Sequence, residues 1–155
     1  MNDIETKAPD SSDQRFIFGV LIFAQIVLVF FLLFSNKLHP GLFAWTLSSF
    51  GLALGVWAIS TMGRFTSISP SLKSDATLLT NGPYRLIRHP MYAALLLYCG
   101  ALLIGDVNGT RLGLWLALFF VLAVKVYYEE QILRARFPEY ETYSKRTKRI
   151  IPFIF

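Results

Sequence analysis

Charge is scarce in this chain. Only 16% of its 155 residues are charged against 54% hydrophobic, a balance far from that of soluble domains, and the length suits one domain. An integral membrane protein is the first expectation. A single cysteine, Cys99, sits in an apolar helical run, which excludes an internal disulfide or a cysteine-based metal site and leaves a buried packing role. No GxGxxG, P-loop or HExxH pattern is present. The first fifteen residues lack the basic start of a secretory signal, and Asp3, Glu5, Asp10 and Asp13 rule out an acid-poor transit peptide. They read as a disordered polar tail.

Long apolar runs fill most of the remainder. Phe16 to Phe34 is uncharged for nineteen residues, enough at ~1.5 Å per residue to cross the roughly 30 Å hydrocarbon layer. After a polar turn at Ser35 to Pro40, a second span is expected over Gly41 to Met62, with Trp45 and Trp57 as interface anchors. Gly51 and Gly55 have the GxxxG spacing of close helix packing. The third run, Met91 to Gly105, covers only about 22 Å, so it either extends through the polar segment before it or ends in a recess. A turn at Asp106 to Thr110 leads to a fourth span, Leu112 to Tyr128, continued as a charged helix until Pro138 interrupts it. The expected fold is all-α, a multi-pass membrane bundle of about four transmembrane helices over residues 16–155, closed by a cytoplasmic helical segment at 129–155.

Lys and Arg are distributed unevenly about these spans. Lys7, Arg15, Arg64, Lys73, Arg85, Arg88 and six residues from Arg134 to Arg149 fall on one side, whereas Lys37 and Arg111 fall on the other. Both termini and the central connection are therefore expected at the cytoplasmic face, in a bacterial inner membrane. The net charge of +5 then matches anionic lipid headgroups and not nucleic acid.

Thr77 to Tyr92, TLLTNGPYRLIRHPMY, is the densest polar and cationic stretch between apolar runs. Gly82-Pro83 marks a turn, and His89-Pro90 a helix start, because proline fits the first helical turn where its missing N–H costs nothing. Free amides at such an end form a seat for a carboxylate or phosphate. These residues read either as basic anchors around a proline-capped helix or as a catalytic site.

A second cluster lies at the end of span four, where Lys125 and Glu129 share a helix face at i, i+4. Either they pair, with the lysine snorkelling to the interface, or Glu129 takes a ligand ammonium while Lys125 takes a substrate anion. Solvent exposure is expected for Glu130. Tyr127, Tyr128, Phe137, Tyr140 and Tyr143 form either an interfacial belt or an aromatic wall beside an adenine ring. The basic run from Lys145 to Arg149 suits headgroups, and the final IIPFIF is expected to dock on the membrane or cover the site.

GPYRLIRHPMY, then EE after one helical hairpin, then FPEYETYSKR and IPFI together resemble the isoprenylcysteine carboxyl methyltransferase and phospholipid methyltransferase family over about Ser69 to Phe155. The resemblance implies an integral membrane enzyme that uses S-adenosylmethionine. It implies cofactor binding by Ala76, Thr77, Leu78, Leu79, Tyr84, His89, Pro90, Met91, Tyr92 and Glu129, with Lys125, Glu129 and Arg88 placed at the reaction and no metal. The isoprenylcysteine enzymes carry an arginine one turn before the acidic pair. Here Lys125 stands instead, a point charge in place of a bidentate fork. The implied acceptor is a lipid or lipidated molecule entering sideways from the bilayer. Two other readings stay open: an NADPH-dependent reductase of sterol-reductase-like architecture, and a non-enzymatic lipid-binding membrane protein.

Overall fold

The computed structural model describes residues 11–34, 41–63, 77–104 and 107–151. Ala76, the tail to residue 10, the 35–40 turn and the terminal 152–155 lie outside the described residues. Among the described residues, five α-helices follow in order: α1 Ser11–Phe34, α2 Leu42–Gly63, α3 Pro90–Ile104, α4 Gly109–Arg136 and α5 Tyr140–Arg146. A 3-10 turn, Gly82–Arg85, precedes α3. The fold is a helical membrane bundle. Among the described residues, α1, α2 and α4 are long and apolar enough to cross a bilayer, and α3 is a shorter apolar helix.

Two helix starts move by three residues or more from those expected. α1 opens at Ser11, taking in five residues assigned to the tail, with Asp13 in its first turn where a carboxylate complements the helix dipole. α4 opens at Gly109 and not at residue 112, because the Asn108 side chain accepts from the Arg111 amide at 3.0 Å and caps the helix. The charged continuation of span four belongs to the same α4, which runs unbroken to Arg136.

α2 and α3 pack antiparallel and very closely. A Cβ at Gly51 would stand 2.8 Å from the Tyr98 backbone nitrogen, so only glycine permits this approach; at Gly55 it would meet Ala94 Cβ at an ordinary 3.5 Å. The GxxxG pair thus serves packing, with Gly51 as its tight point. α1 lies antiparallel to α4, with Phe18 edge-on to Tyr128 at 6.4 Å and Gln25 bonded to Lys125. Leu32, Leu96, Cys99, Leu118, Leu122, Val126 and Ile150 form the core, so Cys99 has the packing role expected. Phe16, Leu42 and Phe120 stay exposed, as suits side chains that face lipid.

The C-terminal segment does more than the sequence suggested. Beyond α5 it runs back across the start of α3 in a parallel bridge between Ile87 and Lys148. The Arg88 amide donates to Lys148 O at 2.7 Å and the His89 amide to Arg149 O at 2.9 Å. Ile150 then enters the core. The N-terminal end of the short α3 is thereby covered by this strap. Burial overturns the interfacial-belt reading for Phe137 and Tyr140, while Tyr127 is exposed at 60%.

Candidate active site

The antiparallel pairs bring the start of α3 to the charged end of α4. Pro90 opens α3 as expected, and His89 supplies the carbonyl that accepts from the Tyr92 and Ala93 amides at 3.1 Å each. With the His89 amide taken by Arg149 O, the Tyr92 amide by His89 O and no N–H on Pro90, the seat for an anion expected here has fewer donors than the sequence implied.

Glu129 faces this helix start. Its Oε1 accepts from the Tyr92 hydroxyl at 2.5 Å, and its Oε2 lies 3.5 Å from His89 Nδ1. The side chain keeps 32% of its exposure, enough to meet a ligand. The His89 ring stacks on Tyr92 with centroids 5.6 Å apart. His89 Nε2 stands 3.7 Å from Glu130 Oε1, beyond hydrogen-bond reach, and is buried without a bonding partner. Burial alone would lower the His89 pKa, but the carboxylates of Glu129 and Glu130 outweigh it and the net direction is upward. The Tyr84 hydroxyl is also buried and unpartnered. Burial, with the nearby Glu129 charge, pushes its pKa up to about 12, so it remains a donor. Tyr84, His89, Tyr92 and Glu129 thus meet at one end of the bundle.

Glu130 corrects the sequence reading outright. Expected at the surface, it is 3% exposed because the strap and Arg88 close over it. Its Oε1 accepts from Arg88 Nε at 2.8 Å and its Oε2 from Arg149 Nε at 3.2 Å, with Arg134 at 3.7 Å on its outer side. Arg88 also donates to the Ser144 carbonyl at 2.9 Å and to the Thr147 carbonyl. Arg88 therefore ties α3, α4 and the strap together, and Tyr143 adds a 2.6 Å bond to the Tyr84 carbonyl.

Lys125 does not take the i, i+4 pairing open to it. Its Nζ donates to Gln25 Oε1 on α1 at 2.8 Å and sits 4.9 Å above the Tyr92 ring. Gln25 gave no signal beyond being an amide within an apolar run, and Arg149 none beyond its place in the basic run. Of the other residues implied by resemblance, Thr77, Leu78 and Leu79 form an irregular lead into the 3-10 turn and make no hydrogen bond to the cluster among the described residues. Pro90 is buried beneath the helix start and Met91 is partly exposed beside it. An apolar cavity of about 450 Å³ lies between α2, α3 and α4, lined by Leu47, Leu54, Leu97, Trp115, Phe119 and Ile150 among others. None of the charged groups lines it, although Pro83, Ile87, Ala93 and Ile150 in its wall lie next to residues of the polar cluster. Among the described residues, no group of three His, Cys, Asp or Glu side chains is placed to hold a metal ion.

Comparison with known proteins gives this geometry a context. The chain is 34% identical over 109 residues to the cobalt-zinc-cadmium resistance protein CzcN of Cupriavidus metallidurans, covering 65% of this chain and 49% of that protein. It is 30% identical over 106 residues to the nickel-cobalt-cadmium resistance protein NccN of Alcaligenes xylosoxydans xylosoxydans, covering 64% and 47%. To a probable protein-S-isoprenylcysteine O-methyltransferase of Oryza sativa subsp. indica it is 35% identical over 103 residues, covering 63% and 53%. The chain spans about half the length of the curated relatives it matches. The family model for phospholipid methyltransferase matches residues 41–140. That stretch carries both halves of the polar cluster, from Tyr84 and His89 to Lys125 and Glu129, and leaves out Gln25 and Arg149. With the matched stretch running through α2, α3 and α4, this chain belongs to the phospholipid methyltransferase family.

Proposed function

We propose that the protein is an integral membrane methyltransferase that takes its methyl group from S-adenosylmethionine and delivers it to a lipid or lipidated acceptor. The convergence of Tyr84, His89, Tyr92 and Glu129 carries this reading. The residues present suit the cofactor. Glu129 offers a partly exposed carboxylate to a cationic group, and the Tyr84 hydroxyl and His89 Nε2 are buried polar atoms that a polar ligand would satisfy. When bound, S-adenosylmethionine supplies a sulfonium methyl group that passes to a nucleophile by in-line displacement. Glu129 would hold the ligand ammonium, with its carboxylate fixed by the Tyr92 hydroxyl and faced by His89. Arg88 would act at one remove, through Glu130 and the strap. Lys125, a helical turn deeper, would orient an anionic group on the acceptor.

No covalent enzyme intermediate is needed. The chain's contribution is to hold donor and acceptor in line and keep water out beneath the strap. The apolar cavity suits the hydrocarbon part of an acceptor. Both termini would face the cytoplasm in an inner bacterial membrane, on the Lys and Arg distribution.

Calorimetric titration of the purified full chain in detergent with S-adenosylhomocysteine, and separately with NADPH, tests the reading. Binding of S-adenosylhomocysteine alone, weakened about tenfold or more by Glu129→Gln, is the expected result. NADPH binding alone would replace it with the reductase reading. Binding of neither would leave a lipid-binding protein.

A further inference from the structure

Lys125 and Glu129 stand four residues apart on one face of α4, where opposite charges ordinarily pair. In a low-dielectric setting that attraction is strong. Yet each charge is held by something else. The ammonium, 7% exposed as a residue, rests between Gln25 Oε1 on α1 at 2.8 Å and the face of Tyr92 at 4.9 Å. The carboxylate takes the Tyr92 hydroxyl at 2.5 Å and faces His89. Tyr92 therefore touches both charges, its ring toward the cation and its hydroxyl toward the anion. Gln25 is the group that draws the ammonium toward α1.

We propose that Gln25 is a positioning residue that keeps Lys125 from neutralising Glu129, so that one helix face presents a separate cation seat and anion seat to its ligands. This rests on the methyl-transfer reading, and it narrows the acceptor to molecules with an anionic group within reach of Lys125. A neutral amide suits the role. It holds the ammonium by one hydrogen bond without cancelling its charge, whereas a carboxylate at position 25 would hold it and cancel it. The balance is local to three helices, and α1 contributes its part from outside the 41–140 family match.

The test compares Gln25→Leu with Gln25→Glu in the full chain, using S-adenosylhomocysteine as the probe. Gln25→Leu frees Lys125 to swing toward Glu129, so affinity should fall about five- to tenfold. Gln25→Glu keeps the ammonium on α1, so affinity should stay within about twofold of wild type. Adding Lys125→Met to Gln25→Leu removes the competing cation and should restore affinity. A role limited to packing α1 against α4 would not produce that rescue. Equal affinity in wild type and Gln25→Leu, or a double variant no better than the single one, overturns the inference.

A ligand-free readout separates this outcome from failure of the methyl-transfer reading. The chain has six lysines, so ¹⁵Nζ labelling gives few signals, and Lys125→Met identifies the relevant one. Glu129→Gln should shift that signal clearly in the Gln25→Leu background and only slightly in wild type. The same shift in both backgrounds overturns the charge separation even where S-adenosylhomocysteine binds. If wild type binds no S-adenosylhomocysteine, the methyl-transfer reading falls and the nitrogen signal alone decides the role of Gln25.

Discussion

Replacing Glu130 by alanine tests the most consequential difference between sequence and structure. The carboxylate side chain is 4% exposed and Arg88 is 9% exposed, so the 2.8 Å pair is a buried one. Breaking a buried pair from one side costs about 3 to 5 kcal/mol, because the remaining charge is left uncompensated. Two features favour the lower end. Arg88 keeps the Ser144 and Thr147 carbonyls as acceptors, and Arg149 and Arg134 are exposed enough at 36% and 49% that losing their contacts costs under about 1 kcal/mol each. A loss of about 3 kcal/mol is expected, concentrated where Arg88 holds the strap. That corresponds to roughly a hundredfold rise in strap opening, read as faster tryptic cleavage after Lys148 and Arg149, with a lower melting temperature in detergent. Glu130→Gln keeps an acceptor oxygen for Arg88 and should fall between wild type and alanine. If Glu130→Ala melts and digests like wild type, the residue belongs at the surface and the strap is held by its backbone bonds alone.

The close approach of α2 and α3 predicts that Gly51→Ala destabilises the bundle by several kcal/mol, because its Cβ would meet backbone at 2.8 Å, whereas Gly55→Ala is tolerated; paired melting curves check this. For His89 the folded pKa lies above its ordinary value, so its stabilising share is complete below about pH 6.5 and fades as pH rises through the higher folded value. Melting temperature should therefore decline across that upper range in wild type and flatten in His89→Gln. Lys125→Met should leave S-adenosylhomocysteine affinity nearly unchanged, since Glu129 does not depend on it as a partner. Turnover of an anionic acceptor should fall about ten- to a hundredfold in kcat/KM in the same variant, and a tenfold loss of cofactor affinity at unchanged acceptor KM would reject the steering role.

Features governed by nearest neighbours were legible in the sequence. The apolar runs gave the helices because length and hydropathy decide what can cross a bilayer, and His89-Pro90 gave the start of α3 because proline at the first helical position is a local signal. Gly51 could be read as a packing glycine from its spacing alone. Glu130 could not be read correctly. Its partners Arg88 and Arg149 lie 42 and 19 residues away, and nothing in the pattern around Glu129-Glu130 says which of two adjacent carboxylates turns inward. Gln25 escaped for the same reason, since its partner is 100 residues distant and an amide in an apolar run is compatible with many environments.

Helix lengths explain why the long-range contacts gather at one end. α4 has 28 residues, about 42 Å, and so overruns a hydrocarbon layer of roughly 30 Å, carrying Glu129, Glu130, Arg134 and Arg136 toward the headgroup region. α3 has 15 residues, about 22 Å, and falls short of it. Two antiparallel neighbours mismatched in this way leave a step, with one helix's polar end projecting beside the other's recessed start. The step would expose the buried faces of His89 and Tyr92 if nothing filled it. In this chain the C-terminal segment does so, bonding its backbone to residues 88 and 89, placing Ile150 in the core and Arg149 on Glu130. Glu130 is consequently committed to holding the roof. Glu129, one residue earlier on α4, is left partly open beneath that roof with the Tyr92 hydroxyl as its hydrogen-bond donor. Adjacent carboxylates thus flank one imidazole, Glu130 buried on Arg88 and the strap and Glu129 left partly exposed on the Tyr92 hydroxyl.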